Sequence, residues 1–150
     1  MEAAVAEPHL FPARPGLESA GKFNPAVVES DGRYVMLYLA QGAQGVSRLG
    51  YAESSNGIRF TRRADPVLSR RPGKFDSRVV EPGPPPNLTP EGIVLIYNGA
   101  DDKLVYRTGI AVFDRRDPRK LIYRGESALF EPELAWGNKA RCRMRYLSKA

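Results

Sequence analysis

Between Lys74 and Phe113 the chain reads KFDSRVVEPGPPPNLTPEGIVLIYNGADDKLVYRTGIAVF, and most of its chemically capable side chains fall there. Asp76 and Glu81 are carboxylates, able to move protons or accept hydrogen bonds from hydroxyls. Tyr97 and Tyr106 offer planar faces for stacking, and Arg107 carries a fork of donors that fits a hydroxyl or a phosphate. Two carboxylates at this spacing arise often by chance, so the pair is a weak signal. Metal chemistry has less support, because one histidine, His9, and one cysteine, Cys142, cannot build a Cys/His site. A single cysteine also excludes an internal disulfide.

Elements that would position these residues are legible around them. Pro84, Pro85 and Pro86 fix φ and lack amide donors, so they predict a stiff extended lead-in. Ile93 to Tyr97 then reads as a strand bounded by Gly92 and by an Asn98-Gly99 turn, with Tyr106 to Phe113, an Asp114 to Lys120 turn and Leu121 to Tyr123 after it. Earlier, Ala26 to Glu29 and Tyr34 to Ala40 read as strands joined by Ser30-Asp31-Gly32, followed by Arg48 to Glu53 and Ile58 to Arg62. Residues 1–22, broken by Pro8, Pro12 and Pro15, predict an irregular lead-in.

This unit recurs. A shift of 59 positions lays Val35 on Val94, Tyr38 on Tyr97, Val46 on Val105, Arg48 on Arg107, Gly50 on Gly109 and Ala52 on Ala111, with Pro25 on Pro84. The first copy closes at Asp65-Pro66-Val67-Leu68 and the second at Ser127-Ala128-Leu129-Phe130. Repeated four-stranded antiparallel units are the signature of β-propeller blades. The expected fold is therefore all-β, with about two blades, 23–68 and 75–130, inside a domain spanning 23–136 and a basic tail at 137–150.

Composition narrows the function classes. Hydrophobic residues make up 42% of 150, enough for a core. No apolar run suits a membrane span and the N-terminus lacks the pattern of a signal peptide, so the expected compartment is the cytoplasm. The net charge of +6 is concentrated in Lys139, Arg141, Arg143, Arg145 and Lys149. A basic end on a balanced body, with no groove-reading helix or stacking platform, argues against a nucleic-acid partner.

The stretches FNPAVV (23–28), SRLGYAESSNGIRF (47–60), FDSRVVEPGPPP (75–86), GIVLIYNGAD (92–101) and YRTGIAVFDRRDPRKLIYR (106–124) resemble glycoside hydrolase family 130. That family comprises five-bladed propellers that include β-mannoside phosphorylases and β-mannosidases. The resemblance implies inverting attack at an anomeric carbon by phosphate or water, hence glycosidase or glycosyltransferase-type phosphorolysis. It implies a β-mannoside as partner, no cofactor, and inorganic phosphate as a co-substrate. Between Leu68 and Phe75 the family interposes two further blades with a Glu-Asp-Pro-Arg motif, whose aspartate is the general acid; here only SRRPGK stands there. Past Trp136, GNKARCRMRYLSKA matches nothing in the family order. An internal deletion and a shifted frame would account for both departures. The expected protein is thus a catalytically incomplete relative, with a non-catalytic sugar-binding or interaction module as the alternative, and with self-association through uncovered blade edges.

Matching the motifs residue by residue, the resemblance places Asn24 and Asp101 against a mannosyl hydroxyl. Arg48, Asp76, Tyr97, Tyr106 and Arg107 complete the candidate substrate-binding set. Competing structural roles are plain: Asn24 before Pro25 and Asp101-Asp102 are turn formers, and Tyr97 shares its repeat position with Tyr38. Arg48 and Arg107 share one as well. Asp117-Pro118-Arg119 spells part of the family's catalytic motif but matches a turn by position, so it is read as structural.

Overall fold

A computed structural model describes residues 20–42 and 44–133, so most of the expected lead-in and all of the basic tail lie outside the described residues. The described chain folds into two antiparallel sheets with no helix between them. Sheet one orders β1 (Gly21–Ser30), β2 (Arg33–Gln41), β3 (Ser47–Ser54) and β4 (Thr61–Arg62) consecutively. Sheet two comprises β5 (Val79–Pro82), β6 (Asn87–Thr89), β7 (Gly92–Ala100), β8 (Tyr106–Phe113) and β9 (Leu121–Arg124), in the order β5-β7-β8-β9. β6 pairs the other half of the β7 edge that β5 occupies, so the proline segment splits this edge strand of the sheet into two pieces.

The 59-residue repeat is a repeat of register. Tyr38 pairs with Gly50 and Leu37 with Tyr51 in sheet one; Tyr97 pairs with Gly109 and Ile96 with Ile110 in sheet two. In each case the tyrosine ring approaches its glycine partner closely. A Cβ on Gly50 would sit 2.5 Å from the Tyr38 ring, and one on Gly109 2.4 Å from the Tyr97 ring. The glycines are thus required by close approach of a ring, not by a turn. The closing segments repeat too, as antiparallel bridges Leu49 to Leu68 and Thr108 to Phe130.

Side chains alternate across each sheet, and the alternation decides how the sheets meet. Val35, Leu37, Leu49, Tyr51 and Leu68 from sheet one pack against Val80, Ile93, Leu95, Tyr97, Ala111 and Phe113 from sheet two as one buried core. A second buried cluster, Met36, Tyr38, Ala40, Ala52 and Phe60, lies on the opposite side of sheet one.

Three local differences from the sequence expectations have physical causes. β1 begins at Gly21 and carries a bulge between Phe23 and Ala26, with Asn24 at φ 50°, so the Asn24-Pro25 pair kinks the strand where it was expected to precede it. β7 continues through Asn98 and Gly99, the expected turn, because both stay paired with β5 and β8, and the glycine is needed where Phe75 and Asp76 cross over it. A Cβ there would lie 2.7 Å from the Asp76 Cβ. β4 is only two residues long, since Ser54 and Asn56 side chains close the preceding loop by accepting from the amides of Asn56, Gly57, Ile58 and Arg59.

Candidate functional site

The hairpin end joining β7 to β8 holds a polar concavity that takes in two of the candidate residues, Asp101 and Arg107. A cavity of about 550 Å³ there is lined by residues of the link, Lys74, Phe75 and Ser77, and by Asp101, Lys103 and Arg107 of the turn. Asp101 organises the turn. Its Oδ1 accepts from the backbone amides of Lys103 at 2.9 Å and Val105 at 3.1 Å, and its Oδ2 accepts from Arg107 Nη1 at 2.8 Å. Partial burial opposes its charge, but Arg107 and the two amides prevail and hold its pKa below the usual carboxylate value. Arg107 also donates through Nε to Glu131 at 3.2 Å, tying the turn to the segment after β9.

Behind this cavity lies a buried ionic cluster. Asp76 is fully buried. Its carboxylate accepts from Arg71 Nε and Nη2 (2.9 Å from Nη2 to Oδ2), from the Tyr97 hydroxyl at 2.7 Å and from Arg124 Nη2 at 2.6 Å. Arg71 also donates to the Gly125 carbonyl and Arg124 to the Ser69 carbonyl, so both guanidiniums are anchored at two points. The Phe75 and Tyr97 rings stack at 6.1 Å; Arg71 lies over the first and Arg124 over the second. Burial alone would raise the Asp76 pKa; hydrogen bonds from Arg71 and Tyr97 and the charges of both arginines depress it instead. Burial, with the neighbouring Asp76, pushes the Tyr97 hydroxyl up to about 12 despite Arg124.

The candidate residues therefore sort into two environments. Asp101 and Arg107 line the cavity as a bonded pair. Asp76 and Tyr97 are interior and bond each other, presenting no surface to solvent. Tyr106 is half-buried at the start of β8, opposite Ala100. Asn24, exposed at its bulge, and Arg48, half-buried opposite Ala40, stand near the hairpin end of sheet one that corresponds by repeat to the Asp101–Arg107 end of sheet two. Neither lines the cavity. Asp117 accepts from Arg119 at 2.7 Å within the β8–β9 turn, a local structural pairing.

Sequence reasoning missed Arg71, Arg124 and Phe75. Arg124 had one signal available: allowing for three extra residues in the β8–β9 turn, it stands where Arg62 stands in the first copy. Arg71 had none, since it sits in the non-repeating link. Among the described residues, no group of three or more His, Cys, Asp or Glu is placed to hold a metal ion.

Comparison with known proteins agrees with this architecture. Residues 65–139 match the glycoside hydrolase family 130 model, described as beta-1,4-mannooligosaccharide phosphorylase. A 1,2-beta-oligomannan phosphorylase of Thermoanaerobacter sp. (strain X514) is 44% identical over 71 residues, 47% of this chain and 24% of that protein. A beta-1,2-mannobiose phosphorylase of the same organism is 38% identical over 69 residues, 46% of this chain and 23% of that protein. The solved beta-1,2-mannobiose phosphorylase from Listeria innocua, in complex with beta-1,2-mannobiose, superposes with a TM-score of 0.70 at 26% identity, covering 79% of this chain and 34% of that one. The matched part of the chain spans about a quarter of the curated relatives' length.

Proposed function

Because this chain belongs to glycoside hydrolase family 130, which includes β-mannoside phosphorylases, we propose that it holds a β-mannoside at the Asp101–Arg107 end of sheet two without completing cleavage of the glycosidic bond. Sugar recognition needs fixed hydrogen-bonding groups around an apolar surface. The cavity combines Asp101 and Arg107, locked by each other and by turn amides, with the Phe75 ring and two lysines at its margin.

The observation that carries the second half of the proposal is the ionisation of the carboxylates. A general acid must keep a proton near neutral pH, which requires a raised pKa. Asp101 in the cavity wall and Asp76 behind it are both held ionised by arginines. Each suits binding or support; neither suits protonation of a leaving oxygen. Glu81 does have a raised pKa, from burial, but it pairs with Asn98 in β7 and does not line the cavity. In this reading inorganic phosphate is the co-substrate of the whole reaction, and the choice between phosphorolysis and hydrolysis is made by groups beyond this cavity.

Incubation with β-1,2-mannobiose and inorganic phosphate tests this directly. The expected result is saturable sugar binding with no mannose 1-phosphate and no free mannose. Steady formation of either product would overturn the non-cleaving reading, and failure to bind any mannoside would overturn the site.

A further inference from the structure

Arg107 is held between two carboxylates. The antiparallel bridge of Thr108 with Phe130 lays the segment after β9 along β8 and so sets Glu131 beside Arg107, whose partner on the other flank is Gly99. Arg107 donates through Nε to Glu131 at 3.2 Å and through Nη1 to Asp101 at 2.8 Å. Among the described residues its Nη2 takes no bond, which leaves that nitrogen to meet a ligand. Asp101 is fixed in turn, because the amides of Lys103 and Val105 hold its other oxygen. A guanidinium already carrying two carboxylates has little attraction left for an anion, whereas a neutral hydroxyl asks only for a donor. The other charges around the cavity are matched as well. Lys74 pairs with Glu126 at 2.9 Å, and Lys103 stands next to Asp102 on the turn. With the buried cluster behind the wall included, Lys74, Lys103, Arg107, Arg71 and Arg124 are balanced one for one by Asp101, Asp102, Glu126, Glu131 and Asp76.

Resting on the reading that this cavity holds a mannoside, we propose that it takes an uncharged glycosyl unit and disfavours phosphate and sugar phosphates, with Glu131 as the residue that sets this preference. Glu131 does not line the cavity and acts through Arg107. Its hydrogen bond holds the guanidinium so that Nη2 donates to a sugar hydroxyl, and its charge cancels the attraction that would draw in an anion. Removing that charge leaves the surroundings of the cavity with one positive charge in excess. The Glu131 side chain is 69% exposed, so a substitution there changes the charge without opening the interior. Glu131→Gln separates the two effects, since the amide keeps an acceptor for Nε and loses the charge.

Amide chemical-shift titration of the full 150-residue chain, with β-1,2-mannobiose and separately with inorganic phosphate, tests this, the Lys103 and Val105 amides serving as reporters beside Asp101. Ionic strength is kept near about 0.01 M, where charges act over about 30 Å. The wild type is expected to bind the disaccharide saturably at these amides and phosphate more weakly. In Glu131→Gln the mannobiose affinity should stay within about twofold while phosphate affinity rises at least about threefold, a gain that disappears in about 1 M salt. Phosphate binding at this turn of the wild type as tightly as mannobiose would overturn the proposal. So would a Glu131→Gln variant in which both affinities move alike, or in which neither moves. Those outcomes leave the mannoside site standing, whereas a wild type that binds no mannoside removes the site and this preference together.

Discussion

Arg124 donates a 2.6 Å hydrogen bond to Asp76 across 48 positions of sequence, joining the link between the repeats to the last strand of sheet two. With Arg71 on the same carboxylate, one buried negative charge organises two guanidiniums and the Tyr97 hydroxyl. Replacing it leaves two cations facing each other in a partly desolvated site. Asp76→Asn is expected to lower the unfolding free energy by about 3–5 kcal/mol, the scale for breaking a buried ion pair from one side. Urea denaturation followed by tryptophan-independent circular dichroism measures it; a loss below about 1 kcal/mol would show that the cluster is not a stabilising centre.

The same carboxylate gives an acid limb to stability. Its folded pKa lies below its ordinary value of 3.8, so its contribution is complete above that value and disappears as pH falls through the folded one. The stability difference between the wild type and Asp76→Asn should accordingly be flat near neutrality and shrink only in strong acid. A difference that vanished already at pH 6 would place the titration elsewhere.

Gly109 is held small by the Tyr97 ring, and that ring cannot retreat because Asp76 holds its hydroxyl at 2.7 Å. Gly109→Ala should therefore cost about 2 kcal/mol or more, toward the upper part of the range for overpacked cores. Thermal unfolding of Gly109→Ala beside Gly50→Ala checks it, and an unperturbed midpoint for Gly109→Ala would mean that the ring shifts freely.

Glu81 behaves in the opposite sense to Asp76. Burial lifts its pKa above the ordinary 4.5, only partly countered by a hydrogen bond with Asn98, so its protonated form favours folding and this contribution is lost as pH rises through the folded value. Glu81→Gln should raise stability at pH 7 by about 1 kcal/mol and leave it unchanged near pH 4. Paired thermal melts at the two pH values decide the point. A destabilising effect at pH 7 would assign Glu81 a charged partner.

The repeat made most of the fold legible, because Tyr38–Gly50 and Tyr97–Gly109 repeat the same ring-on-glycine contact and leave identical residues in the sequence. What was illegible depends on contacts between segments far apart in the chain. Gly99 reads as a turn residue until Phe75 and Asp76 are seen crossing over it. Asp76 is visible as a carboxylate, but nothing local reveals that Arg71 and Arg124 enclose it. Asp101 and Arg107 are closer to legible: six residues apart across one hairpin turn, they are in reach of each other as soon as the two strands pair.

The central claim is that the Asp101–Arg107 end of sheet two holds a β-mannoside. Calorimetric titration of β-1,2-mannobiose into the wild type and into Arg107→Ala tests it most directly. Saturable binding by the wild type, weakened at least about tenfold in a variant that keeps its circular dichroism spectrum, is the expected result. Equal affinity in both proteins would contradict it.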